Sequence, residues 1–157
     1  MKGYIISKIA TISLGEILLE LQFELTCSPS IRSITLSIAE DGESIVYQNE
    51  EHPFLNEHLK GGLYNYTTIE SGNKEHPKFL ALLGEKFHHI KFGYANHLLD
   101  HSIQLHYFQA KIGQDDFLFF NNGDEGCYSF DNIEEILAHD IYGCSWAEFD
   151  PTTATES

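Results

Sequence analysis

The pattern that most restricts what this chain can become is a strict two-residue hydrophobic period near its N-terminus. Ile17, Leu19, Leu21, Phe23 and Leu25 fall on one face, with Glu20, Gln22 and Glu24 on the other. Successive side chains of a strand point to opposite faces, so this run fits a half-buried strand and not a helix. Its neighbours conform. Tyr4–Ser13 reads as a preceding strand, with Leu14-Gly15 as the turn. Ile34, Leu36 and Ile38 alternate with Thr35 and Ser37, and Asp41-Gly42 separates that run from Ser44–Tyr47, which is a hairpin signal. Residues 1–48 are therefore expected to form a four-stranded antiparallel meander.

The remainder mixes strands with short helices. Pro53 opens a helical segment over Phe54–Lys60 that Gly61-Gly62 closes, and Pro77 opens a second through Leu83, ending near Gly84. Phe87–Phe92 and Ser102–Ile112 read as strands, with His88 and His89 expected on opposite faces. Asp116–Phe120 and Cys127–Phe130 flank Asn121–Gly126, where Asn122-Gly123 supplies the positive φ of a tight turn. The strongest helix spans Asn132–Tyr142. Asp131 stands at its cap, Ile133, Ile136, Leu137 and Ile141 form its apolar stripe, and Gly143 is its stop. The expected fold class is α+β, mainly antiparallel β-sheet with two or three short helices. It is read as a single domain over residues 1–149, followed by a flexible acidic tail over 150–157.

Charge narrows the function classes. Nine Lys and Arg stand against 24 Asp and Glu, a net charge of −15. Such a surface repels phosphate backbones and anionic lipid, so no direct nucleic-acid or membrane partner is expected. Glu16, Glu20 and Glu24 interrupt the apolar N-terminal stretch, which does not read as a secretory leader. The three cysteines, Cys27, Cys127 and Cys144, exclude a disulfide scaffold and fit a reducing compartment. A cytoplasmic location is expected, and the oligomeric state is left open.

The acid is unevenly placed. Residues 112–157 hold 11 carboxylates and no Lys or Arg, and so carry −11 of the −15. Asp131 and Glu135, like charges at i,i+4, repel on a helix, and Asp140 near its C-terminal end opposes the macrodipole. Tyr128, Tyr142 and Trp146 are interspersed, and Tyr and Trp are common binding anchors. The expected partner-binding set is Asp115, Asp116, Asp124, Glu125, Tyr128, Asp131, Glu134, Glu135, Asp140, Tyr142, Trp146 and Glu148. The plainer alternative is a solubilising acidic surface over aromatics packed in the core.

No catalytic signature emerges, and neither an enzyme activity nor a cofactor is expected. His97-Leu-Leu-Asp-His101 would place two imidazoles on one helical face, and His106 follows on the next strand, so these three are weak zinc candidates. The glutamate of a zincin motif is missing. Asn121–Gly126 lacks the ligand spacing of an EF-hand loop. Gly143-Cys144-Ser145-Trp146 has only 13 residues after its cysteine and no following histidine, which excludes a papain-type nucleophile.

In general character the chain resembles the immunity proteins of contact-dependent growth inhibition and related polymorphic toxin systems. The acidic, aromatic-bearing stretch Asp115–Asp150 on a small β-rich body carries that resemblance. It implies a protein that neutralises a cognate toxin domain with a basic surface, a nuclease above all, by occluding its active-site cleft. Two alternatives stay open: a nucleic-acid mimic that inhibits a restriction or CRISPR effector, and a small metalloenzyme built on His97, His101 and His106.

Overall fold

The alternating N-terminal segments fold as long antiparallel strands in the computed structural model, which describes residues 3–53, 63–69 and 76–152. β1 (Ile5–Leu14) turns at Gly15 into β2 (Ile17–Cys27), and β3 (Ser30–Ile38) returns beside β2. The period of two becomes cross-strand packing. Ile9 faces Phe23, and on the other side Phe23 faces Ile34 and Leu21 faces Leu36. All five side chains are fully buried.

The chain gathers into two compact units, residues 1–37 with 47–86, and residues 38–46 with 87–157. In the first unit the strand order is β4–β3–β2–β1–β5. β4 (Ile45–Glu50) contributes residues from Tyr47 on, and Arg32 of β3 donates to Asn49 and pairs with Glu51 at 3.0 Å. β5 (Asn65–Thr68), which has no alternation to announce it, adds to the free edge of β1. α1 (Pro77–Leu80) is shorter than the segment read to Leu83, because the chain leaves the helix for a turn that ends at Gly84, φ +88°. That turn is tied to β1: the Gly84 N–H donates to the Ile6 carbonyl and the Ile6 N–H to the Glu85 carbonyl, both at 2.8 Å. Phe79 is fully buried with its ring edge-on to Phe23. The helix read over 54–60 lies outside the described residues.

The second unit is built on a ladder of β6 (Phe87–Asn96), β7 (Ile103–Ile112), β8 (Asp115–Asn121) and β9 (Gly126–Ser129). Its core is aromatic: the buried Phe108 meets Phe92 and Phe117, with ring centroids 5.7 and 6.3 Å away. From segment 38–46, Ile45 pairs with Leu105, and the buried Asn121 amide donates to the Ser44 carbonyl at 2.9 Å. Mostly antiparallel sheet with two short helices is thus the architecture of the described residues. No helix among them is long and apolar enough to cross a membrane.

Several local expectations need correction. α2 covers Ile133–Ala138, not residues 132–142. Asn132, not Asp131, is its cap residue, and Asn132 makes no side-chain capping bond. Ile133, Ile136 and Leu137 pack against Tyr107 and Leu118, but Ile141 is 83% exposed and off the stripe. The cause is Asp140, whose carboxylate accepts the backbone N–H groups of Tyr142 and Cys144 and bends the chain away from helix. Gly143, φ +64°, therefore sits inside a loop and not at the helix end. The chain then forms β10 (Ser145–Ala147), a short edge strand along β6 that was not foreseen. The 122–125 turn forms as expected, but its positive φ values fall on Gly123 and Asp124, one position later. Asp150 accepts from the Thr152 N–H and hydroxyl, and Pro151 is buried, so an ordered turn reaches at least to Thr152.

Candidate protein-binding site

The site begins with an irregularity in the β6–β7 ladder. Gly93 pairs with Tyr107 and Tyr94 with Leu105, which leaves His106 with no partner on β6. Such a bulge breaks the alternation of faces. Segment 140–146 covers both rings. His106, 2% exposed, stacks on Tyr142 with centroids 3.7 Å apart and planes 6° from parallel. Tyr107 stacks on Trp146 at 6.0 Å and 21°. Gly93 makes room for that indole: a Cβ there would lie 3.0 Å from Trp146 and 3.1 Å from Tyr107.

Asp140 locks the loop between α2 and β10. It accepts the Cys144 N–H at 2.8 Å, the Tyr142 N–H at 3.0 Å and, more weakly, the Tyr107 hydroxyl at 3.4 Å. Burial pushes its carboxyl up, but these donors together outweigh burial and leave it below the ordinary carboxylate range. It was expected to suffer at a helix C-terminus. Lying beyond that end and bonded to amides, it is instead stabilised as an anion. Burial, then the Asp140 charge and hydrogen bond, push the Cys144 thiol up to about 12. A thiol so protonated is a poor nucleophile. Burial and the same carboxylate raise Tyr107, which stays a neutral donor.

Tyr142 shows which acids surround this loop. Burial raises its phenol first, followed by the carboxylates of Glu43, Asp41 and Asp140. Asp41 is held in its turn by the Ser44 hydroxyl and by the N–H groups of Glu43 and Ser44. Asp124 lies over Gly42 of the same turn, its Oδ1 3.2 Å from where a Cβ would stand. The negative surroundings of Tyr142 thus draw on residues 41 and 43, far from the basic-free stretch. In the sequence Asp41-Gly42 signals only a turn, and nothing there marks the bulge that places His106.

The expected partner-binding residues do not form one face. Asp115 and Asp116 open β8, and Asp124 and Glu125 lie past its other end, five strand residues or ~17 Å away. Asp116 stands directly across from Lys111. Asp131, Glu134 and Glu135 are exposed before and on the first turn of α2, where helix amides favour anions. Tyr128 is half-buried on β9, edge-on to Phe130, with burial raising its phenol. Glu148 is exposed beyond β10. Asp140, Tyr142 and Trp146 are the members that the fold brings together.

The histidine candidates separate. Residues 97–101 form the tight β6–β7 connection and not a helix, with the His101 N–H donating to the His97 carbonyl at 3.0 Å and His101 at φ +60°. The His97 Nδ1 accepts the Leu99 N–H at 3.1 Å, while His106 lies under Tyr142. Among the described residues no group of three or more His, Cys, Asp or Glu side chains is placed to hold a metal ion. The two adjacent histidines of β6 also depart from strict alternation, since a second bulge lies between His88 and Lys91.

In comparisons with known proteins, no family model, no curated protein and no solved structure matches the chain.

Proposed function

We propose that the protein is a binding protein that neutralises a basic partner, in the manner of an immunity protein against a nuclease toxin, and that the Asp140–Trp146 loop is its contact. The observation that carries this reading is the loop itself. It projects Ile141 at 83% exposure and Trp146 at 39%, backed by stacked rings and fixed by a carboxylate bonded to two of its amides. A loop already ordered loses little entropy on binding. Exposed aromatics supply contact area with a polar handle, and an indole face suits an incoming guanidinium. Carboxylates at Asp41, Glu43 and Asp124, with Glu134 and Glu135 on α2, would steer a cationic cleft toward it.

Genetic context tests the reading. It requires the gene's immediate upstream neighbour to encode a secreted protein with a toxic C-terminal domain. Co-expression with that domain should restore growth. Ile141→Lys, at a solvent-facing position, should keep the melting temperature and lose the rescue. A neighbour of another kind, no rescue by the wild type, or full rescue by Ile141→Lys would overturn the reading.

A further inference from the structure

Residues 38–46 and 87–157 contain fifteen Asp and Glu but only two Lys or Arg, Lys91 and Lys111. Both line one cavity of about 140 Å³, together with His89, Gln109, Ala110 and Asp116. Three neighbouring strands build it. Lys91 of β6 pairs with Gln109 of β7, Lys111 lies two residues along β7 and therefore on the same face, and Asp116 of β8 faces Lys111.

Long side chains on diagonal positions of neighbouring strands are within reach of one another. Here two lysines and one aspartate line the cavity, so its lining keeps a net positive charge in a strongly acidic unit. The backbone is bent to complete it. His89 and Ile90 together oppose Ala110, a bulge whose first residue sits at φ +51°. Glycine takes that left-handed position in such bulges without strain, and histidine does not. A strained bulge residue that lines a cavity is the kind of feature found at ligand sites.

We infer that this cavity binds a small oxyanion of the phosphate class, free or as the terminal monoester of a small molecule. Lys91 and Lys111 supply the charge, and the Gln109 amide and the His89 ring supply directional donors. The inference is independent of the loop reading.

The test is a backbone-amide NMR titration of the full chain with inorganic phosphate, at ionic strength held constant with chloride. Saturating shifts confined to residues 88–91, 109–111 and 116 are expected at millimolar phosphate. Lys91→Ala with Lys111→Ala, both at outward-facing positions, should weaken binding at least tenfold, and Asp116→Asn should tighten it several-fold. A parallel titration with a ribose 5′-monoester separates the sources: tighter binding than free phosphate assigns the site to a monoester, and equal or weaker binding to the free ion. Shifts no larger than those from chloride, shifts of the same size around Lys8 and Lys78, or shifts that persist in the double alanine variant would overturn the assignment. If the double variant loses its dispersed spectrum, Lys91→Gln alone is read instead and should weaken binding about threefold, an unchanged affinity again overturning it.

Discussion

The Asp140 carboxylate makes a prediction whose size can be worked out. Asp140→Asn preserves shape but turns one oxygen into a donor. Oδ1 now accepts from Tyr142 and Tyr107, and Oδ2 from Cys144. With the amide oxygen in the Oδ1 position, the new NH₂ faces the Cys144 N–H, and that bond is lost. With the amide flipped, the Tyr142 bond is lost instead. A hydrogen bond to a charged group contributes ~1.5–3 kcal/mol. Asp140 is only partly buried, and water can reach the freed amide, so the lower end applies and the expected loss is about 1–2 kcal/mol. For a chain of this size that lowers Tm by roughly 2–8 °C. The sign with pH follows from the lowered carboxyl. Its stabilisation is fully present above the unfolded value of 3.8 and is lost as pH falls through the folded value. The wild-type advantage should therefore hold at pH 6 and close in the acid limb.

A second readout separates this from general weakening. Burial is the first cause of the raised Cys144 thiol, with the Asp140 charge and bond next. Asp140→Asn removes the charge and leaves the burial, so the thiol should fall from about 12 while staying above its ordinary 9.0. Each unit of that fall raises the thiolate fraction at pH 9 about tenfold. Iodoacetamide labelling followed by peptide mapping resolves Cys144 from Cys27 and Cys127 and should show faster modification. An unchanged Tm together with an unchanged Cys144 rate would refute the capping argument.

Other expectations follow from single contacts. Gly93→Ala drives a methyl into Trp146 and should cost about 1–3 kcal/mol, with the emission of the sole tryptophan shifting to the red as the indole is displaced. Phe79→Ala removes a fully buried ring and should cost about 3–5 kcal/mol in urea melts. Glu134→Lys with Glu135→Lys should cost about 0.5–2 kcal/mol of stability, since the first-turn amides of α2 favour anions, and slow association with the basic partner at low salt, while the same reversal at Asp115 and Asp116 should slow it less; equal effects on association would remove the localised steering argument. In the native protein the exposed Cys27 should react first with a thiol reagent, and Cys144 last, which a timed quench and mass spectrometry would check.

Features set by one strand face or one turn were legible in the sequence. The alternation holds over Leu21–Leu25, because a slip of one residue would expose Leu21, Phe23 and Leu25 together, and the turns at Gly15 and Gly42 need the positive φ that glycine gives freely. Before Leu21 it fails: a bulge at Leu19 in the pairing with β1 exchanges the faces, so Leu18 is buried and Ile17 is 42% exposed. The candidate site was legible only in part, because its determinants lie between elements. A helical stripe from Ile133 to Ile141 contains no sign that Asp140 will bind the amides that follow it. A three-residue strand, Ser-Trp-Ala, is too short to show a period. The bulge at His106 belongs to the pairing of β6 with β7 and to neither strand alone, yet it decides that Tyr142 finds an aromatic floor.

Charge illustrates the same point. Counting along the chain groups Asp115 with Asp140, but β8 carries Asp116 to Lys111, while the turn at Asp41-Gly42 brings two other acids toward Tyr142. Repulsion among carboxylates is felt through space over about a Debye length, ~8–10 Å in ordinary salt. Five strand residues exceed that length, and a hairpin turn can bring distant residues within it. The electrostatic identity of the loop is therefore a property of sheet register. Shifting β8 by one residue against β7 would move Asp116 off Lys111 and carry the Asn121–Asp124 turn away from Gly42, altering both surfaces without changing a single residue.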